Sequence, residues 1–215
     1  MHASSCFSDV AFETDAVGDT QSWKRDLRGK MRRLMRSWSG DPSVAVPIIA
    51  GWLEELFPTQ NPTSSLKVAM FHPLAGEPDL TALLKPQKLQ FPVTWGFPRV
   101  LGEELVFHEV NRLDALISGA YGIREPREDS PVINVESFDV FLCPGLAFSA
   151  AGARLGRGKG FYDRMLARAR PDAVKIGVGL DFQWVEELPV DPHDVPMNRI
   201  CCGTKTAIPT QEGKA

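Results

Sequence analysis

Between Gly152 and Asp163 the chain reads Gly-Ala-Arg-Leu-Gly-Arg-Gly-Lys-Gly-Phe-Tyr-Asp. Four glycines and three cations, Arg154, Arg157 and Lys159, fall between Gly152 and Gly160, and a helical pattern follows. Glycine lets main-chain amides approach a phosphate and take positive φ. A helix start adds unpaired N–H groups and a positive dipole end. The three cations add charge-assisted donors. This combination suits a nucleoside triphosphate or a phosphoryl group in transfer. The spacing is not that of a Walker loop, because Gly160 rather than Ser or Thr follows Lys159. Nor is it the dinucleotide fingerprint, because the glycines run G-x-G-x-G. A basic surface turn is the plain alternative, but turns rarely concentrate so many glycines and cations.

Two acids could complete a phosphate site. Asp163 falls at the start of the helix, as a first-turn acid favoured by the dipole or as a Mg²⁺ ligand beside phosphates. Asp194 lies in the proline-bounded stretch Leu188 to Pro196. Alone it reads as a turn residue; with Asp163 around one cation it becomes a metal site. His193 and His108 read as polar loop and strand residues, since phosphoryl transfer needs no histidine base. The four cysteines, Cys6, Cys143, Cys201 and Cys202, have neither CxxC nor zinc spacing. Cys143 reads as a small core residue, and the set suits a reducing, cytoplasmic setting.

These residues need a scaffold. Ser22 can cap a first helix whose apolar stripe is Trp23, Leu27, Met31, Leu34, Met35 and Trp38, with a basic cluster on its other face. A second helix carries Ile48, Ile49, Trp52, Leu53, Leu56 and Phe57. Strands are expected at Leu66–Phe71, Leu89–Val93, Leu105–His108, Val140–Cys143, Lys175–Leu180 and Arg199–Cys202. Helices are expected at Glu77–Leu84, Phe161–Ala169 and Phe182–Leu188. Strands alternating with helices imply an α/β fold, a three-layer α/β/α sandwich around a mostly parallel central sheet. Ligands in such folds bind beyond the carboxyl ends of strands, which points to the residues after Phe71, Cys143 and Leu180. The division expected is a disordered leader over 1–21, one domain over 22–208 and a flexible tail over 209–215. A net charge of −3 gives no reason to expect nucleic-acid binding. No apolar run approaches the roughly 20 residues that span a bilayer. A monomer without membrane association is expected.

An ordered series of motifs carries a resemblance. It comprises Lys24-Arg-Asp-Leu-Arg28, Phe71 with Glu77, Tyr121-Gly-Ile-Arg-Glu-Pro126, Pro144-Gly-Leu-Ala-Phe148, Gly152 to Asp163, and Leu188 to Pro196. Together they resemble the 5-formyltetrahydrofolate cyclo-ligase family, also called methenyltetrahydrofolate synthetase, over about Lys24 to Ile200. The resemblance implies ATP-driven closure of 5-formyltetrahydrofolate, with or without a polyglutamate tail, to 5,10-methenyltetrahydrofolate, with release of ADP and phosphate. It implies that Lys24 and Arg28 bind ATP. It assigns Arg154, Gly156, Arg157, Gly158, Lys159, Gly160, Phe161 and Tyr162 to the nucleotide and formyl-phosphate loop, with Arg157, Lys159 and Tyr162 nearest the chemistry and Arg157, Gly158, Lys159 and Phe161 also touching substrate. It assigns Asp163 and Asp194 to Mg²⁺ and Glu77 to the folate, with His72 and Tyr121 beside it. Trp95 and Phe148 are weaker candidates for the pocket wall, and Arg99 or Arg124 could steer an anionic tail.

The chain departs from the family pattern at Phe161, often a tyrosine, at Asn198, commonly an aspartate, and at His72, apolar in some relatives. Three other readings are a small-molecule kinase, a binding protein with a degenerate site, and a protein like the sugar-phosphate isomerases or CoA transferases of similar architecture. The reaction product separates the first from a cyclase. The intact cationic loop argues against the second, and the third would need neither ATP nor Mg²⁺.

Overall fold

The computed structural model describes residues 19–57, 65–85, 87–119 and 122–210. Its α-helices are α1 (Thr20–Ser37), α2 (Val46–Leu56) and α3 (Phe161–Leu166). Its strands in chain order are β1 (Leu66–Ala69), β2 (Val93–Leu101), β3 (Glu104–Glu109), β4 (Ile117–Ser118), β5 (Arg124–Glu125), β6 (Val132–Ile133), β7 (Val140–Pro144), β8 (Ala147–Ser149), β9 (Arg154–Leu155), β10 (Val174–Gly179), β11 (Trp184–Val185), β12 (Arg199–Cys202) and β13 (Lys205–Ala207).

The main sheet is ordered β13-β12-β10-β7-β1-β2-β3-β6. From β12 to β2 every neighbouring pair is parallel, while β13, β3 and β6 add antiparallel edges. The parallel strands are buried on both faces, so they read as apolar runs rather than alternations. Their side chains divide between two cores. Val68, Met70, Leu142, Ile176 and Cys201 face α2 through Ile49 and Leu53. Ala69, Phe141, Cys143, Ile200 and Cys202 face Met165 and Leu166 of α3. This period-two division is the three-layer arrangement expected.

Helix α1 packs elsewhere. Its Leu27, Met31 and Met35 meet Leu146, Ala147, Leu155 and Val185, contributed by or adjoining the small sheet β11-β8-β9. That sheet lies next to the main one through Phe148. A Cβ at Gly177 or Gly179 would stand 2.7 or 3.0 Å from the Phe148 ring, so glycines in the middle of β10 make its slot.

Several local expectations need correction. Helix α1 begins at Thr20, capped by Asp19, whose Oδ1 accepts the Gln21 N–H at 3.2 Å; Ser22 lies inside the helix. Residues 20 and 21 therefore belong to the helix rather than to a leader. The Leu89–Val93 segment is not a strand: β2 starts at Val93 and continues through Gly96 and Pro98. Gly96 is there because Phe138 fills the place of a side chain, 2.3 Å from a built Cβ. Pro98 is tolerated because β1 pairs only as far as Gly96, leaving β2 a single neighbour beyond. Of Glu77–Leu84 only Thr81–Leu84 is helical, as a 3₁₀ turn. Phe161–Ala169 is α-helical only to Leu166. Phe182–Leu188 is not a helix. A 3₁₀ turn at Asp181–Gln183 gives way to β11, because the buried Gln183 amide donates to the Gly145 and Leu146 carbonyls and its oxygen accepts the Leu180 N–H.

Candidate active site

The chain passes from β1 to β2 on one side and later inserts β7 on the other side of β1. That reversal is a topological switch point, where open α/β sheets leave a crevice beyond the strand ends. Here β1 and β7 share only the pairs Val68–Val140 and Ala69–Phe141, and Leu142 to Pro144 pair with β10 alone. A cavity of about 370 Å³ opens there, lined after β1 by Phe71 and His72 and at the end of β7 by Pro144 and the following Gly145. Its remaining wall includes Glu77, Pro98, Val100, Leu105, Ile123 and Glu125. The glycine loop, Arg154 and Phe161 to Asp163 close it on the other side.

The loop is shorter than its sequence signature. Gly152 has φ 88° and its carbonyl accepts the Met197 N–H at 2.9 Å; a Cβ there would stand 2.8 Å from the Met197 oxygen. It anchors a structural turn. Arg154 and Leu155 form β9 against β8. The open cradle is Gly156 to Gly160, with Gly158 at φ 101° and Gly160 at φ 68° as the N-cap of α3.

One face of α1 supports this cradle. Lys24, Arg28 and Arg32 recur every four residues and so share a helix face. Arg28 Nε donates to Gly156 O at 3.1 Å and Arg32 Nη2 to Arg157 O at 3.0 Å. Burial and the neighbouring Arg32 charge lower the Arg28 pKa, opposed by Asp194, Asp191 and Asp163. All three acids therefore act on one guanidinium. Arg32 was not foreseen, although its place four residues after Arg28 was a usable signal.

Each acid expected to bind metal is held by a cation. Arg154 Nη2 donates to Asp163 Oδ1 at 2.6 Å and Arg154 Nη1 to the Pro144 carbonyl at 3.3 Å. The Arg154 side chain is 3% exposed, and its Nε is buried without a hydrogen bond. Lys24, equally buried, donates to Asp194 and, at 2.7 Å, to Asp191. Burial pulls the Lys24 ammonium down, but its bonds and charges with Asp191 and Asp194 leave it raised overall. The Lys24 bond, against burial, leaves Asp191 below its usual range. Asp191, His193 and Asp194 each place a possible ligand atom within 4.8 Å of the others. Asp191 was missed in the sequence, where it is a loop acid three residues before Asp194.

A second cavity of about 400 Å³ is lined by Trp23, Leu188, Val190, Val195 and Asp194 among others, and Arg154 lines both cavities. Arg154 is thus the shared wall between the Asp163 side and the Asp194 side.

Glu77, which the sequence resemblance assigns to the folate, is 5% exposed. Its Oε1 accepts from Arg157 Nη2 and Nε at 2.5 and 3.1 Å, and its Oε2 from the Leu74 N–H at 3.0 Å. His72 faces the cavity, its pKa lowered chiefly by burial. Tyr162 and Phe161 line it, and burial, then Cys143 and Glu77, push the Tyr162 phenol well above its usual value. Lys159 is exposed at the rim and makes no ion pair among the described residues. Tyr121 lies outside the described residues. Trp95 and Phe148 are core residues rather than cavity wall. Arg99 and Arg124 donate to the Pro126 and Leu116 carbonyls. His108 is a buried strand residue bonded to Ser130 O at 2.8 Å, and Cys143 is buried with its thiol pushed up to about 12.

Residues 20–203 match the model of the 5-formyltetrahydrofolate cyclo-ligase family. The chain is 34% identical to the 5-formyltetrahydrofolate cyclo-ligase of Mycolicibacterium smegmatis over 158 residues, 71% of this chain and 78% of that one. It is 31% identical to the Escherichia coli K12 protein of the same name over 145 residues, 64% of this chain and 78% of the relative. Among solved structures, Aquifex aeolicus 5,10-methenyltetrahydrofolate synthetase superposes with a TM-score of 0.67 at 30% identity, covering 89% of this chain and 95% of that one. No described helix is long and apolar enough to cross a membrane.

Proposed function

Because the chain belongs to the 5-formyltetrahydrofolate cyclo-ligase family, we propose that it closes 5-formyltetrahydrofolate to 5,10-methenyltetrahydrofolate at the cost of one ATP. The observation that carries this reading is the convergence of Arg28, Arg32, Arg154, Arg157 and Lys159 on a glycine cradle at the mouth of one switch-point cavity.

The chemistry follows from the substrate. The N5 lone pair feeds the formyl carbonyl, so its carbon is a poor electrophile. The formyl oxygen attacks the γ-phosphorus of ATP, the bond to the β-phosphate oxygen breaks, and ADP leaves. The resulting iminium phosphate has an electrophilic carbon. N10 attacks it, N10–H gives up its proton, and the C–O bond breaks to release phosphate. The folate fills the cavity with its heterocycle near Glu77 and His72. The triphosphate lies along the cradle.

The protein's own part is alignment and charge compensation. Amides of Gly156 to Gly160 and the side chains of Arg157 and Lys159 surround the moving phosphoryl group. Phe161 packs beside the substrate. Tyr162, a neutral phenol at working pH because burial raises its pKa, offers a hydrogen bond rather than a proton sink. Lys24, Arg28 and Arg154 bind the phosphate chain.

Asp163 and Asp194 are hard oxygen donors, each paired with a side-chain cation and lying on either side of Arg154; they are the residues that would hold Mg²⁺ bound with ATP, once Arg154 moves from between them. Bound there, Mg²⁺ would neutralise phosphate oxygens. Lys24 and Arg154, released from the two acids, would turn to those oxygens. Arg157 would likewise leave Glu77 for the phosphoryl group when a folate takes over the carboxylate.

The test is incubation with 5-formyltetrahydrofolate and MgATP while recording the methenyl chromophore. The chromophore should rise only with ATP present, with one phosphate released per product. A stable phosphorylated product without the chromophore would favour a kinase instead.

A further inference from the structure

One of the three acids that line the cavity has no role in the scheme above. Glu125, on the short strand β5, is 3% exposed and lines the same cavity as Glu77. Its Oε1 accepts one bond, from the Val100 N–H at 3.3 Å. That N–H points into the space beside β2 where β1 has already ended. Its Oε2 accepts none among the described residues and lies over Gly119, where a Cβ would stand 2.3 Å away. The arginines around it are engaged elsewhere: Arg124 donates to the Leu116 carbonyl, Arg99 to the Pro126 carbonyl, and Arg127 to Asp129.

A carboxylate can accept about four hydrogen bonds, and one that lines a cavity with a single protein donor has the remaining positions open to a ligand. Glu125 uses one site, in a wall otherwise made of Pro98, Val100, Leu105 and Ile123. Glu77, by contrast, has both oxygens engaged. The cavity therefore carries an unused acceptor set in apolar surroundings, built to receive a donor from outside the chain. Gly119 keeps that oxygen's place clear of a side chain.

We propose that Glu125 is a second substrate-positioning acid, accepting an N–H of the reduced, donor-rich heterocycle whose other donors meet Glu77. This rests on the folate reading of the cavity. A reduced pterin presents its 2-amino group, N3–H and N8–H around one ring system, more donors than a single carboxylate can take. Two acids on separate elements, one after β1 and one on β5, fix its orientation in the plane, and so the direction of the formyl oxygen. An oxidised pterin lacks the N8–H and would lose part of this recognition.

The test is calorimetric titration of 5-formyltetrahydrofolate, without ATP, into wild type and the E125Q variant. The amide keeps a carbonyl oxygen for the Val100 N–H, so a merely structural role predicts unchanged binding. The proposal predicts a Kd at least about tenfold higher, the usual scale for one charge-assisted bond, with the KM for ATP within about twofold of wild type. Should E125Q not fold, E125D, which retains the charge but draws it back from the cavity, should weaken binding similarly. An unchanged Kd in a folded variant, with wild type active, overturns the role of Glu125 alone. Wild type that neither binds nor cyclises this folate overturns the reading of the cavity and the proposal with it.

Discussion

Replacing Lys24 by alanine should destabilise the protein well beyond an ordinary surface substitution. The Lys24 side chain is 5% exposed and that of Asp194 is 18% exposed. Breaking a buried pair by removing one partner costs about 3–5 kcal/mol. Residual solvation of Asp194 reduces this to about 2–4 kcal/mol. A protein of this size loses about 2–4 °C in Tm per kcal/mol, so calorimetry at pH 7 should record a fall of about 4–16 °C. The pH dependence is a second readout. Asp191 is held below its ordinary value, so its contribution is complete above an unfolded pKa of about 3.9 and is lost as pH falls through the folded value. Lys24 is raised, so its contribution is complete below about 10.4 and is lost as pH rises through the folded value. The Tm gap between wild type and variant should therefore be flat from about pH 5 to 10 and narrow on either side. A fall below about 2 °C at pH 7, or a gap that peaks at acid pH, would refute the description of Lys24 as a buried clamp.

Lys159→Ala removes an exposed cation with no ion pair among the described residues; turnover should drop by more than about two decades with Tm unchanged, and near-normal turnover would remove Lys159 from the chemistry. Gly177→Ala pushes a methyl group against Phe148 at 2.7 Å and Ile200 at 2.8 Å; overpacking of about 1–3 kcal/mol should appear as a clear loss in Tm without a selective change in either KM. Because burial raises the Tyr162 phenol, Tyr162→Phe should leave the shape of the rate–pH profile unaltered up to about pH 9, even where the rate itself falls. An alkaline limb present in wild type and absent from the variant would contradict that neutral phenol.

The parts of the molecule legible in sequence were those governed by local chemistry. The amphipathic stripe of α1, the apolar runs of β1, β7, β10 and β12, and the glycine-cation loop each announce themselves within about a dozen residues. What escaped depends on contacts distant in sequence. Gly96 and Pro98 look like strand breakers until Phe138 and the early end of β1 are known. Phe182 to Leu188 carries a helical pattern, but Gln183 ties it to Gly145 and Leu146 and sends it into the small sheet. Gly152 looks like part of the cradle and turns out to face Met197. In the site, Lys24, Glu77, Arg157, Asp163 and Asp194 carried recognisable motifs. The ion pairs of Lys24 with Asp194 and of Arg157 with Glu77 span 170 and 80 residues and follow from no local pattern. Glu125 sits inside a recognised motif, yet only burial and an unused oxygen single it out.

Phosphoryl transfer to the formyl oxygen at the cradle is the step on which the proposed cyclisation turns. It is tested most directly with 5-formyltetrahydrofolate carrying ¹⁸O in the formyl group. After turnover with MgATP, mass spectrometry should find the heavy oxygen in the inorganic phosphate, one atom for each methenyl product formed. Heavy oxygen released to water, with phosphate unlabelled, would contradict the account.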